Sequence, residues 1–72
     1  MEFGKNFRRI RKENNLSQRQ VAEKLGVCQS NVSDWENDIS RPSYEFLIEL
    51  ARVYDTTLYD LLGIPDDRFW KS

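Results

Sequence analysis

Gln29, Ser30, Ser33, Asp34 and Asn37 fall within the stretch GVCQSNVSDWEND, residues 26–38. Their side chains are short amides, hydroxyls and a carboxylate, groups that donate and accept hydrogen bonds in well-defined directions. Placed at 100° helical steps, Ser30, Asp34 and Asn37 share one side and Gln29 and Ser33 one flank, while Cys28, Val32 and Trp35 cluster on the core side. An ordinary solvated helix would favour Glu, Lys, Arg and Ala on its outer face, because they are better helix formers. Short amides and hydroxyls instead suit the edges of nucleic-acid bases, where Gln or Asn bonds adenine in two places and Ser serves either role. A merely polar, solvated helix face is the competing reading of the same residues.

Other chemistries are poorly served. The chain has no histidine and one cysteine, Cys28, which removes the commonest general base, the usual zinc sets and any intrachain disulfide. It offers no glycine-rich phosphate loop and no carboxylate pair in a plausible cleft. An enzyme is therefore not expected, and neither a metal nor a cofactor is expected. Seventy-two residues make one small domain, burying only about 60% of its unfolded surface. With 39% hydrophobic and 32% charged residues the composition is that of a soluble globular domain. No apolar run approaches the roughly 20 residues of a membrane span, and no signal-peptide pattern opens the chain. The expected location is cytoplasmic, away from membranes.

The net charge is −1, but the charges are unevenly placed: residues 1–41 carry eight Lys/Arg against six Asp/Glu, and residues 42–72 three against six. Lys5, Arg8, Arg9, Arg11 and Lys12 form a dense basic cluster. A chain polarised in this way can turn a positive face to an anionic partner. For Arg8 and Arg9, contact with phosphates and simple solvation are both open.

The elements that must position these residues read as helices throughout. Phe3, Phe7 and Ile10 recur at i, i+4 and i+7, predicting a first helix near 3–14 that the sequence ENN breaks. Ser17 with Gln20 is a capping-box signature, so a second helix starts near 18, buries Val21, Ala22 and Leu25, and ends at Gly26. The third helix covers about 29–37. Ser43 is a capping candidate for a fourth, about 44–54, with Phe46, Leu47, Leu50, Ala51 and Tyr54 inward. Thr57 can cap a short fifth helix containing Leu58, Leu61 and Leu62, closed by Gly63 and Pro65. Residues 1–65 are expected to form the domain and 66–72 a tail, in which Phe69 and Trp70 pack back or meet a partner.

Glu36 lies within about 40° of Val32 on the third helix, at the border of the buried face, where an unpaired carboxylate would be costly. Arg11 follows Ile10 on the inner edge of the first helix. Two opposite charges so placed are expected to meet, clamping the first helix to the third. From Gln18 onward, apolar Val21, small Ala22, Gly26 and then Val27, Val32 and Trp35 fit two crossed helices joined by a tight turn. This is a helix-turn-helix over 18–37 with the second member as reader.

The pieces IRKENNLSQRQVAEKLGVCQSNVSDWEND, RPS and LIELARVYDTTLYDLL resemble the Cro/repressor-like helix-turn-helix family, the XRE family, of phage and bacterial transcription regulators. The likeness runs from about Phe7 to Gly63. It implies an all-α, five-helix, lambda-repressor-like domain that binds operator DNA as a sequence-specific regulator, with repression the expected sense, commonly as a homodimer on a palindromic site. It implies base contacts by Gln29, Ser30 and Asp34, with Ser33 on the same exposed surface. Ser17, Gln18, Asn37 and Arg41 are implied as phosphate contacts, Gln18 also bracing Gln29, and Arg11 with Glu36 as the family's interhelical ion pair. Two residues depart from the family pattern: Asp38 stands where glycine is usual, and Cys28 where serine or threonine is. Asp34 could accept from a cytosine amino group or weaken binding by repelling phosphates. A protein-interaction module on the same fold, such as an antitoxin or adaptor, is the alternative, and the expected dimer surface is the acidic half around Leu58–Leu62, with Phe69 and Trp70 added.

Overall fold

Short polar caps and permissive turn residues divide the chain into α1 (Gly4–Glu13), α2 (Gln18–Leu25), α3 (Gln29–Glu36), α4 (Tyr44–Val53) and α5 (Leu58–Leu62). These are the elements of a computed structural model that describes residues 3–64. No strand occurs among the described residues. Phe69, Trp70 and the expected tail lie outside them.

The starts of α2, α4 and α5 have local causes. At α2 the Ser17 hydroxyl accepts from the Gln20 backbone N–H at 3.0 Å, and the Gln20 side chain accepts from Ser17 N–H at 2.8 Å, the reciprocal bonds of a capping box. Ser43 Oγ accepts from Phe46 N–H, and Thr57 Oγ1 from Asp60 N–H. Gly26 and Gly63 close α2 and α5 in the left-handed region, at φ +73° and +74°. The remaining left-handed turns use Asn15, Asp38 and Asp55, side chains that tolerate this geometry better than most.

The core draws on every helix: Phe7 and Ile10 from α1, Val21 and Ala22 from α2, Val32 and Trp35 from α3, Leu50 from α4 and Leu61 from α5, with Tyr54. The Trp35 and Phe46 rings meet in a tilted arrangement, their centroids 5.6 Å apart. Ala22 is buried, consistent with α2 and α3 crossing closely over a small side chain.

The sequence expectations need three corrections here. Cys28 does not share the core side with Val32 and Trp35; it is exposed. It is the N-cap of α3, with extended dihedrals of φ −78° and ψ 149°, so a 100° helical projection does not apply to it. Leu25 is only partly buried. Along α5, Leu58 is exposed but Leu61 is fully buried, so Leu61 belongs to the core and not to a dimer surface.

Candidate nucleic-acid interface

α3 has two unlike sides. Val32 and Trp35 are buried, while Gln29, Ser30 and Asn31 are exposed along the first turn, and Asn37 is exposed just beyond the last. Ser33 and Asp34 are half-buried. The chain leaving α3 folds back so that Ile39 N–H donates to the Asp34 carbonyl at 2.9 Å. At the start of the helix, the Asn31 side-chain oxygen accepts from Cys28 N–H at 3.2 Å. This bond fixes the turn that carries Gln29 and Ser30. Sequence reasoning missed it, because cysteine followed three residues later by asparagine is not the Ser/Thr and Glu/Gln pattern of a capping box.

Beneath this face, Glu36 gathers three helices. Arg11 donates to it twice, Nε to Oε2 at 2.5 Å and Nη2 to Oε1 at 3.0 Å, a bidentate geometry that suits a guanidinium. Arg11 Nη1 also donates to the Leu16 carbonyl, steadying the turn into α2. Gln18 Nε2 donates to Glu36 Oε1 at 3.0 Å, and Arg8 Nε lies 3.5 Å from the same oxygen. Burial pushes the Glu36 carboxyl up, but its bonds from Arg11 and Gln18, with the charges of Arg11 and Arg8, hold it below its ordinary value on balance. The bond to Glu36 raises Arg11, against the opposing effect of burial. Burial, and then the Glu36 charge, push the Tyr54 phenol well above its usual range. Gln18 thus reaches inward to Glu36 rather than across to Gln29.

The flank of the site is built on a stripe of α1, Gly4, Arg8 and Arg11, spaced i, i+4 and i+7 and running beside the end of α3. A β-carbon at Gly4 would lie 2.2 Å from the Glu36 backbone oxygen, so the two helices touch there through backbone. One turn on, Arg8 Nη2 donates to Asn37 Oδ1 at 3.0 Å, and Asn37 Nδ2 donates to the Ser33 carbonyl at 2.9 Å. Arg8 stays 44% exposed in its side chain. Asp38 Oδ1 accepts from both Phe3 N–H and Gly4 N–H, each at 3.0 Å. The Arg41 guanidinium then sits 5.4 Å from the centre of the Phe3 ring, a cation–π distance. Gly4 and Asp38 were not singled out as contributors to this flank by spacing or composition.

Arg9 points elsewhere. It pairs with Glu13 at 3.0 Å and lines a polar hollow with Tyr54, Asp55 and Asp60. Exposed Ser17 keeps its hydroxyl proton available while the oxygen caps α2. Gln29, Ser30, Ser33, Asp34, Asn37 and Arg8 therefore occupy α3 and its flank, Ser17 and Gln18 the start of α2, and Arg41 the loop after α3. No group of three or more His, Cys, Asp or Glu side chains among the described residues is arranged to hold a metal ion. No helix among them is long and apolar enough to cross a membrane.

Residues 7–61 match the family described as Helix-turn-helix. The chain is 36% identical over 61 residues to the uncharacterized HTH-type transcriptional regulator YobD of Bacillus subtilis (strain 168), covering 85% of this chain and 54% of that protein. It is 41% identical over 54 residues to the HTH-type transcriptional regulator AnsR of the same organism, covering 75% of this chain and 47% of the relative. Among solved structures, a transcriptional regulator from Listeria innocua superimposes with a TM-score of 0.80 at 29% identity, covering 96% of this chain and 64% of that one. These relatives are all named as transcriptional regulators. The chain spans about half the length of the curated relatives it matches.

Proposed function

The chain belongs to the XRE-type helix-turn-helix family, and from that premise we propose that it is a transcriptional regulator binding duplex DNA by sequence, with α3 in the major groove and repression as its sense. The observation that carries this reading is the exposed first turn of α3. Gln29 and Ser30 face solvent on a helix fixed from below by buried Val32, Trp35 and Glu36. Such a face has direction and little freedom, which is what reading base edges requires. Gln29, Ser30, Ser33 and Asp34 are the base-reading set in this proposal.

Phosphate contacts are assigned to Ser17, Gln18, Arg8, Asn37 and Arg41. Arg8 and Asn37 act as a bonded pair, with donor capacity left on the guanidinium. Gln18, held by Glu36, contributes through its place at the start of α2, where backbone N–H groups favour an anion. Arg9, paired with Glu13 and beside acidic Asp55 and Asp60, is not used. Neutralising several phosphates makes affinity fall steeply with salt.

The protein is read as a cytoplasmic homodimer on a palindromic operator, its recognition helices about 34 Å apart. Leu58 on α5 is an exposed apolar residue in the acidic half where that contact is placed. Selection of bound sites from a random duplex pool tests binding, symmetry and spacing together. Enrichment of a palindrome is expected; no enrichment and no duplex association at low salt would overturn the reading.

A second reading, a protein-interaction module such as an antitoxin or adaptor, draws on Tyr44 and Ile48. They stand one turn apart on α4 and are 84% and 45% exposed. Capture of a co-encoded protein, lost on Tyr44→Ala and with no gel shift on selected duplexes, would favour it over DNA binding.

A further inference from the structure

Asp38 stands in a left-handed turn at φ +58°, a place where glycine would be conformationally cheaper. Its carboxylate accepts from Phe3 and Gly4 N–H and so supplies the cap that Phe3, the N-cap residue of α1, does not supply from its own side chain. The bonds cross 35 and 34 residues of sequence, joining the first turn of α1 to the chain leaving α3. Three groups depend on that joint. The Phe3 backbone is held by Asp38, and the Phe3 ring lies under Arg41. Gly4 is held against the Glu36 carbonyl, and Arg8, one turn on, reaches Asn37. Ile39 N–H, the next amide, bonds back to the Asp34 carbonyl.

We propose that Asp38 is a positioning residue for DNA binding: by capping α1 it sets Arg8 and Arg41 in the register at which both meet the phosphate backbone. This inference rests on the DNA-binding reading above and adds to it a residue that contacts no DNA itself. It makes a counterintuitive forecast. An exposed carboxylate next to an anionic ligand repels it, so electrostatics alone says that removing Asp38 tightens binding. Positioning says that removal loosens it.

The test uses Asp38→Gly, which accepts the turn but lacks the carboxylate, and Asp38→Asn, which keeps an acceptor oxygen and tolerates the turn but lacks the charge. Binding to the duplex selected by the wild type is measured across a salt series, below the melting temperature of every variant. Asp38→Gly is expected to bind more weakly, with the slope of log affinity against log salt shallower by about one to two, the loss of one or both of the Arg8 and Arg41 phosphate contacts. Asp38→Asn should keep the wild-type slope and bind at least as tightly. Base preference in the selection should not change in either, since no reading side chain is touched. Tighter or unaltered binding by Asp38→Gly, or an unchanged slope, overturns the inference while leaving the DNA-binding reading intact. A wild type that binds no duplex overturns both.

Discussion

Gln18, the first residue of α2, donates to Oε1 of Glu36, the last residue of α3, an oxygen that also accepts from Arg11 on α1. One carboxylate therefore fixes how the reading helix sits on both of its neighbours. The exposed face of α3 can be short and polar because its orientation is decided underneath, by charge-assisted bonds and by Val32 and Trp35.

Removing one member of that joint leaves the other buried without its main partner, Glu36 keeping only Gln18 and Arg8 and Arg11 only the Leu16 carbonyl. Arg11→Ala or Glu36→Ala should each cost about 3–5 kcal/mol. A domain of this length has a total stability of only about 4–11 kcal/mol, so either change should remove from about a quarter to all of it. Arg11→Met combined with Glu36→Leu should recover most of the loss, because well-packed apolar pairs often replace buried ion pairs at no net cost. Urea unfolding of the singles and the double checks this; single variants within about 0.5 kcal/mol of wild type, the range of ordinary surface changes, would show that the joint carries no stability.

Acid should weaken the same joint. The folded Glu36 carboxyl is held below its ordinary value of 4.5, so near and below that pH the unfolded chain binds the proton more readily than the folded one. Its contribution to stability is then fully present above about pH 5.5 and declines as pH falls through 4.5 toward the folded value. Glu36→Gln, less stable overall, should lose less on acidification than wild type. Parallel curves of unfolding free energy against pH for the two proteins would contradict it.

Which features could be read from the sequence follows from how local their causes are. Ser17 and Gln20 are three residues apart, and the box they form is visible as a spacing. Arg11 and Glu36 are distant in sequence, yet each lies at the inner edge of an apolar helical stripe, so periodicity alone brings them face to face. Gly4 and Asp38 carry no such signal. Their contact depends on the backbone approach of α1 to the end of α3, and an aspartate after a helix looks like an ordinary turn residue. Cys28 was placed on the core side because a cap residue is not helical.

Close backbone approach makes Gly4 a sharper constraint than Gly26, although Gly26 is the one with a left-handed backbone. A methyl at Gly26 meets nothing within 4 Å, whereas at Gly4 it would lie 2.2 Å from the Glu36 carbonyl oxygen and 3.0 Å from the Asp38 carboxylate. Gly26→Ala should cost about 1–2 kcal/mol from backbone strain alone. Gly4→Ala should cost about 1–3 kcal/mol by overpacking and should also weaken DNA binding, because the shift carries Arg8 away from Asn37. Melting temperatures and a binding titration separate the two effects: Gly4→Ala with wild-type DNA affinity would refute the second.

The cap of α3 leaves room for improvement. A thiol is a weak acceptor, and Cys28 sits exposed with extended dihedrals at the N-cap position. Cys28→Ser should stabilise the domain by about 0.5–1 kcal/mol, within the range measured for good N-caps, while the Asn31 bond to residue 28 N–H persists. A lower melting temperature in the serine variant would count against this account of the turn.

Base reading is best tested by treating Gln29 and Asp34 as different kinds of reader. Gln29 is exposed at the first turn of α3 and can bond adenine twice, so Gln29→Ala should relax discrimination at one base pair per half-site by about 1–3 kcal/mol. Asp34, half-buried one turn further along, can only accept, and a cytosine amino group is the base donor that suits it. Asp34→Ala should then lose a cytosine preference at a separate base pair. If Asp34 merely repels phosphates, the same change raises affinity for every sequence alike and leaves preference untouched. Selection from randomised duplexes with the wild type and both variants distinguishes these outcomes, since one alters the selected motif and the other alters only the concentration at which it is bound.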